Sequence, residues 1–447
     1  VSTCLCCYCA THLSAGHFHL LFFFGTTFMN DDADVDESCC TADYEAVPDD
    51  CEAYNPDGLP YNEEDPFASG RPYRPPASDR DGAKPSFGEN IEPHFIVPRR
   101  LQDKPYELIE AANDWHYAMM NDHPRNDFYK AALRRVVTPG SVVLEIGAGS
   151  GLLSIIAASL GAKCVVAIEA NQHLAAVARE IIRRNGYEGK VHIINKMSTD
   201  VTLEELAPYG TPDILLSEIL GTLLLGESAL HYVMDARLRL TSPSVSVVPL
   251  RGRQFATLID SPDIASITSV KDWCGIDLRW FNTLQDTTSM VFTKQYGFRF
   301  SSCSYRELAS RQPVLDVDFT TDVVGVWRGD IHTRFQALAS GTVHAILASW
   351  EVYADDDGEL VMATHPDATL NNFPRDMQWG QGLQLIEDIS QEGDSPVPFY
   401  VTEGEWLTLV TRFSVDGVAL QFELQRDPPP GIEDAADQLE GHAGVPQ

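Results

Sequence analysis

Basic side chains are scarce in this chain. Its 447 residues carry 32 Lys plus Arg against 65 Asp plus Glu, a formal net charge of −33. No Lys or Arg precedes Arg71, and the first 70 residues hold 14 acidic side chains. Direct nucleic-acid binding needs a cationic face and is not expected. A cationic substrate would instead be steered toward this surface. Long apolar runs are missing too. The run His19-Leu-Leu-Phe-Phe-Phe-Gly25 is far shorter than a membrane span and lacks the basic flank of a signal peptide. Neither membrane insertion nor export is expected, so the cytoplasm is the default, with the nucleus as a second compartment. No internal repeat of fixed period is found.

Cysteine is thin where the chain is globular. Seven of the ten fall at positions 4, 6, 7, 9, 39, 40 and 51, leaving Cys164, Cys274 and Cys303 scattered through the body. That spacing excludes a disulfide framework there and fits a reduced interior. Cys6 and Cys9 form a CxxC near His12, His17 and His19. A second pair at finger-like spacing is missing, and no metal is expected. The chain starts at Val1, and its first Met is Met29, ahead of the acidic run from Asn30 to Glu37. We read residues 1–28 as an extension preceding the natural start. Residues 30–90 mix acids, prolines and glycines without an apolar period and read as mostly disordered. The stretch 1–90 is thus an acidic N-terminal extension.

What is present is a large apolar fraction, 44 %, enough for a sizeable core in two or three domains. Leu101 to Val137 reads as helical, with a break at Pro124. Strand patterns follow at Ser141–Ile146, Lys163–Glu169, Val191–Asn195 and Ile214–Ser217, with helices at Leu152–Leu160 and Leu174–Arg184. This alternation predicts a parallel α/β sheet over 91–245. Beyond it, Val245–Pro249, Phe255–Ile259, Val343–Tyr353 and Trp406–Phe413 predict an antiparallel β-barrel or sandwich over 246–447, interrupted by a weakly patterned insertion at 261–312.

The strand–loop–helix Val142-Val-Leu-Glu-Ile-Gly-Ala-Gly-Ser-Gly-Leu-Leu carries the first chemical signal. Glycines permit a sharp turn and close backbone approach to a ligand. A dinucleotide site places its third glycine where Leu152 stands here; the third glycine is Gly151. The pattern Glu145-x-Gly147-x-Gly149-x-Gly151 instead suits S-adenosylmethionine, which has no phosphate. Glu145 fits a ligand with an ammonium group. Glu169, 22 residues after Gly147, can accept both ribose hydroxyls. A ligand-free glycine turn and a nicotinamide site remain as alternatives.

The second signal is Ser217-Glu-Ile-Leu-Gly-Thr-Leu-Leu-Leu-Gly-Glu-Ser228. Of the eight residues between Glu218 and Glu227, seven are Ile, Leu or Gly, so this loop is expected to be packed. Two carboxylates in an apolar surround repel each other and are stable together when a cation joins them. A guanidinium, planar and permanently charged, is the best-shaped partner. An acid pair serving another substrate stays open.

These motifs resemble the protein arginine methyltransferase family over about residues 95–425. The resemblance implies cap helices, a Rossmann-like methyltransferase domain and a β-barrel with an inserted helical dimerisation arm at 261–312. Trp115-His-Tyr-Ala-Met-Met-Asn-Asp-His-Pro-Arg-Asn126 is similar to the family's cap motif. It implies that Met119 packs on the cofactor, that Arg125 pairs with its carboxylate and that His116 lies on the cofactor side. Glu145, Gly147, Gly149 and Gly151 match the glycine loop, with Leu152 beside it; Glu169 matches the ribose acid, with Ala170 beside it. Met197 and Ser198 fall at the adenine contact, where many relatives have Glu in place of Ser198. Glu218 and Glu227 match the double-glutamate loop. In Met377-Gln-Trp-Gly-Gln381, Trp379 is kept and Gln378 stands where His is usual, on a stretch expected to face substrate. With Ser198, this departure most resembles the type III branch, which stops at monomethylarginine.

The resemblance implies methyl transfer from S-adenosylmethionine to a terminal guanidino nitrogen of protein arginine, leaving S-adenosylhomocysteine. A single module implies a homodimer. Basic proteins such as histone tails and Arg-Gly-rich RNA-binding proteins are the expected substrates. Dimethylating type I or II activity, a silent binding module of the same fold, and a methyltransferase for another acceptor are the competing readings.

Overall fold

A computed structural model describes residues 99–102, 108, 111–112, 114–293, 299–324, 329–414 and 417–427. The acidic extension at 1–90, with its CxxC and its short apolar run, lies outside the described residues. Among the described residues the cap region holds a short helical turn, Arg99–Gln102, and the helices α1 (Asp114–Asn121) and α2 (His123–Val136). The break falls at Asp122 rather than at Pro124. Asp122 caps α2 by accepting from the Arg125 amide at 3.1 Å, and Pro124 sits in the first turn, where its missing N–H is no loss.

Strands and helices then follow one another: β1 (Val142–Ile146), α3 (Leu152–Ser159), β2 (Cys164–Ile168), α4 (Gln172–Arg184), β3 (Val191–Ile194), the short helical turns Ser198–Asp200 and Leu203–Leu206, β4 (Ile214–Ser217), α5 (Ala229–Arg239) and β5 (Ser246–Val248). The strands pair in parallel in the order β3-β2-β1-β4-β5. β1, β2 and β4 are buried along their whole length. This explains why they are mostly apolar on both faces, Glu145 in β1 being the charged exception, since a parallel sheet is covered on both faces. The order reverses between β1 and β4, and a crevice at the carboxyl ends of these strands is where such sheets bind ligands. Val245–Pro249, read from sequence as the first strand of the β half, belongs instead to this sheet. β5 pairs in parallel with β4, a distinction that a three-residue apolar strand does not carry in its own pattern.

The remaining strands are antiparallel. β6 (Arg251–Asp260) pairs with β7 (Gln312–Asp318) on one side and β9 (Ala345–Tyr353) on the other. β10 (Gly382–Leu385) extends from β9. β8 (Ile331–Gln336), β11 (Trp406–Phe413) and β12 (Leu420–Arg426) form a second sheet. Between β6 and β7 the chain makes the helix Pro262–Thr268, a minimal hairpin pairing Asp272–Trp273 with Ile276–Asp277, and a 3-10 helix at Arg279–Leu284.

The two halves share a core. Trp350 and Val352 of β9 and Trp379 pack in the same buried cluster as Leu220, Leu224 and the parallel strands. Trp350 is fully buried, and its indole donates to the Gly221 carbonyl at 2.9 Å. Trp350→Phe keeps most of the ring but strands that carbonyl, so it should cost about 1–3 kcal/mol of stability. Urea unfolding checks this; a loss below about 0.3 kcal/mol would show that the bond contributes little.

Candidate active site

The crevice at the ends of β1 and β4 opens into a pocket of about 430 Å³. Its walls come from the motifs found in sequence. Gly147, Gly149 and Leu152 line it from the glycine loop, Glu145 and Glu169 from the strand ends, and His116, Met119 and Arg125 from the cap helices. Glu218 and Glu227 line it as well. Gly151 caps α3 at φ 78°, setting the turn rather than the wall. Ala170, Met197 and Ser198 are not among the lining residues. Met197 is exposed, and Ser198 is buried with no hydrogen-bond partner for its hydroxyl.

Two glycines are required by close approach. A side chain on Gly147, which adopts φ +75°, would meet Ile219 at 2.8 Å; one on Gly221 would meet the Gly226 backbone at 2.8 Å. The first packs the glycine loop against the glutamate loop. The second lets the glutamate loop close on itself. Glu169 holds the glycine loop from the other side: one carboxylate oxygen accepts from the Gly149 amide and the other from the Asn171 amide, both at 2.8 Å. His116 is held below its ordinary pKa by burial, with Glu169 acting against that shift.

Glu145 and Glu218 sit in dry surroundings. Glu145 is buried within β1, and the Ser154 hydroxyl donates to it. Burial raises its pKa to about 8, against the opposing effects of Ser154 and Arg125. Glu218 is likewise pushed up by burial, with Arg125 acting against that shift. The Arg125 guanidinium lies directly on Glu218. Nε donates to Oε2 at 3.0 Å, and Nη2 donates to the same oxygen. Arg125 was expected to serve a cofactor carboxylate; the structure puts its charge on the first glutamate while it also lines the pocket.

The acid pair is less symmetric than expected. Glu218 is buried, whereas Glu227 is exposed at the rim, because the packed part of the loop ends at Leu225. Gln378 and Trp379 do not line the pocket. Trp379 stands behind the loop: its indole donates to the Leu220 carbonyl at 2.8 Å, and its own carbonyl accepts from Thr222 at 2.6 Å. Gln378 is buried, and its side-chain oxygen has no hydrogen-bond partner. Among the described residues, one group could bring three metal-ligand atoms together: Glu307, His365 and Asp367. The Arg311 guanidinium already contacts both carboxylates, and burial lowers the His365 pKa to about 4. We read this group as an ion-pair cluster.

Sequence reading missed Ser154, Asp122 and Arg375. Ser154 faces Glu145 from the first turn of α3 and has no signal of its own. Asp122 was legible as a cap before a first-turn proline. Arg375 contacts Asp122 across 253 residues, a separation that no local pattern reports.

The pocket residues fit an aminoacyl-bearing cation. A protonated Glu145 should lose its proton when a ligand ammonium binds nearby. S-adenosylhomocysteine affinity is therefore expected to rise with pH, by up to about tenfold per unit between about pH 6 and 7.5. Glu145→Gln should flatten this slope. Calorimetry in buffers of different ionisation enthalpy measures the released proton; a pH-independent affinity in the unmodified protein would contradict the assignment.

Comparison with known proteins gives the same chemistry. Residues 122–234 match the ribosomal protein L11 methyltransferase (PrmA) family model. The chain is 32 % identical over 297 residues to an arginine N(omega)-methyltransferase of Streptomyces achromogenes, covering 66 % of this chain and 74 % of that one. It is 28 % identical to protein arginine N-methyltransferase 7 of Xenopus laevis and 29 % to that of Mus musculus, and it spans a little under half of their length, 45 % and 48 %. Two solved structures share the fold. One is the PRMT1 enzyme–prozyme heterotetrameric complex of Trypanosoma brucei with AdoHcy, with a TM-score of 0.58, 23 % identity and coverage of 72 % and 96 %. The other is protein arginine methyltransferase 10 of Arabidopsis thaliana, with a TM-score of 0.54, 20 % identity and coverage of 71 % and 93 %. A parallel sheet with a glycine loop, a double-glutamate loop packed on a β-barrel, and this degree of relatedness together place the chain in the protein arginine methyltransferase family.

Proposed function

We propose that this protein transfers a methyl group from S-adenosylmethionine to a terminal guanidino nitrogen of arginine in basic proteins, stopping at monomethylarginine. The observation that carries the reading is Glu218, a buried carboxylate at the inner end of the pocket that already bonds a guanidinium, that of Arg125. The bound donor supplies an electrophilic sulfonium methyl. Everything else falls to the chain. Glu169 is placed to accept ribose hydroxyls, and Glu145 to meet the amino group. Glu218 and Glu227 orient the incoming fork and hold its charge, which leaves one nitrogen free to attack. Positioning of this kind is worth several kcal/mol, and carboxylates matched to the developing charge add to it. The acceptor nitrogen must lose a proton as the new bond forms. Glu227, at the rim, has the better access to water for carrying it off.

Two features support the finer reading. The vertebrate relatives above carry the name protein arginine N-methyltransferase 7, and Ser198 and Gln378 resemble the type III branch in sequence. The net charge of −33 favours basic partners, including histone tails and Arg-Gly-rich RNA-binding proteins. The homodimer rests on the insertion between β6 and β7. Trp273, Ile276, Leu278, Trp280, Phe281 and Leu284 are all exposed there, Trp280 at 77 % and Phe281 at 68 %. A contiguous apolar stretch of this kind marks an interface, and a second copy of the chain is the partner the family architecture offers.

Three outcomes test the proposal. Label from S-adenosylmethionine should enter an Arg-Gly-rich peptide and not its Lys-substituted copy, and Glu227→Gln should lower that turnover about 100-fold with cofactor binding retained. Free arginine belongs in the same assay, because the Streptomyces relative is named for arginine alone; label there and not in peptide would move the substrate class. Amino-acid analysis of exhaustive reactions should show monomethylarginine; abundant dimethylarginine would refute the product limit. Trp280→Ser combined with Phe281→Ser should halve the mass measured by sedimentation, and an unchanged mass would remove this face from the dimer.

A further inference from the structure

Asp122 is fully buried between the two halves of the protein, and its carboxylate is saturated. Oδ1 accepts from the Arg125 amide at 3.1 Å, from Asn372 Nδ2 at 3.0 Å and from Arg375 Nη2 at 3.2 Å. Oδ2 accepts from Arg375 Nε at 2.8 Å. Arg375, itself 5 % exposed, also donates to the Ala363 carbonyl at 3.2 Å. It lies on α6 (Phe373–Gln378), whose C-cap is Trp379. A closed circuit results. Asp122 caps α2, whose first turn carries Arg125; Arg125 grips Glu218; the loop after Glu218 is bonded to Trp379; and α6 leads back through Arg375 to Asp122.

The geometry points to Arg375 as a positioning residue for methyl transfer: through Asp122 it sets the cap helix, and with it Arg125, in register with the loop that presents Glu218. Gln378, the residue that the sequence singles out on this helix, does not supply this link; the hydrogen bond to the loop comes from Trp379, and those to the cap come from Arg375 and Asn372. The two-pronged contact fits a guanidinium specifically, since an ammonium is a point charge without the fork. The link also joins the helix that precedes Trp379 to the cap helix that carries Arg125. Loss of register would therefore fall on the alignment of acid and methyl donor, while the glycine loop and Glu169 stay in place.

This inference rests on the arginine methyltransferase reading, and the unmodified enzyme assayed in parallel reports on that reading by itself. The test compares Arg375→Met and Arg375→Lys with it, using S-adenosylhomocysteine binding stoichiometry to count folded sites. Per folded site, Arg375→Met should lose at least about tenfold in kcat, while the S-adenosylhomocysteine Kd and the peptide KM stay within about threefold. Arg375→Lys should recover part of that kcat. A purely structural role predicts fewer folded sites with normal kcat in each, and that result would overturn the proposal. If Arg375→Met yields no folded protein, Arg375→Lys decides: kcat reduced with KM unchanged supports positioning, and unmodified kcat contradicts it.

Discussion

A carboxylate buried at the end of a parallel strand must have a cation, and Glu218 is such a carboxylate. Desolvation pushes its pKa up, so without a partner it would hold a proton and lose its charge. Arg125 opposes that shift by placing two guanidinium nitrogens on one oxygen. The permanent charge of a guanidinium keeps such an acid ionised where an amine would itself be subject to desolvation, and the proposed reading gives a substrate guanidinium the same chemistry.

The surrounding architecture serves to hold that acid in place. Backbone carbonyls of the loop are tied to two tryptophans: Gly221 to Trp350 and Leu220 to Trp379, whose rings meet edge to face with centroids 4.9 Å apart. Both tryptophans come from the β half, so the acid that the parallel sheet presents is oriented from the other half of the molecule. Gly147 lets Ile219 approach the glycine loop. The glycine loop and the glutamate loop thus pack directly against each other here. Burying the loop in a shared core fixes the distance between them, because a dense interior resists deformation.

Much of this was legible in the sequence. The parallel strands announced themselves as mostly apolar runs. The glycine loop and the acids at 145, 169 and 218 reached one pocket because each sits at or just beyond a strand end on the same edge of the sheet, and Glu227 reached it from the far end of the loop after β4. What was hidden depended on long-range contact. The apolar composition of 219–226 implied that both glutamates are dry, yet burial stops at Leu225 and leaves Glu227 at the rim. Val245–Pro249 has the same composition whichever sheet it joins; only its partner β4 decides. Trp379 and Gln378 were placed by resemblance on the substrate wall; the structure sets Trp379 behind the loop and leaves the buried Gln378 outside the pocket lining. Asp122 reads as a helix cap, but its other three hydrogen bonds come from Asn372 and Arg375, far along the chain.

The central claim is that a substrate guanidinium is bound by Glu218 and Glu227 beside the methyl donor. A crystal structure of the enzyme with S-adenosylhomocysteine and an arginine-containing peptide tests it most directly. The account predicts the peptide guanidinium within hydrogen-bond distance of both carboxylates, with one nitrogen facing the sulfur of the cofactor product. A peptide arginine seated elsewhere, out of reach of both carboxylates, would contradict it.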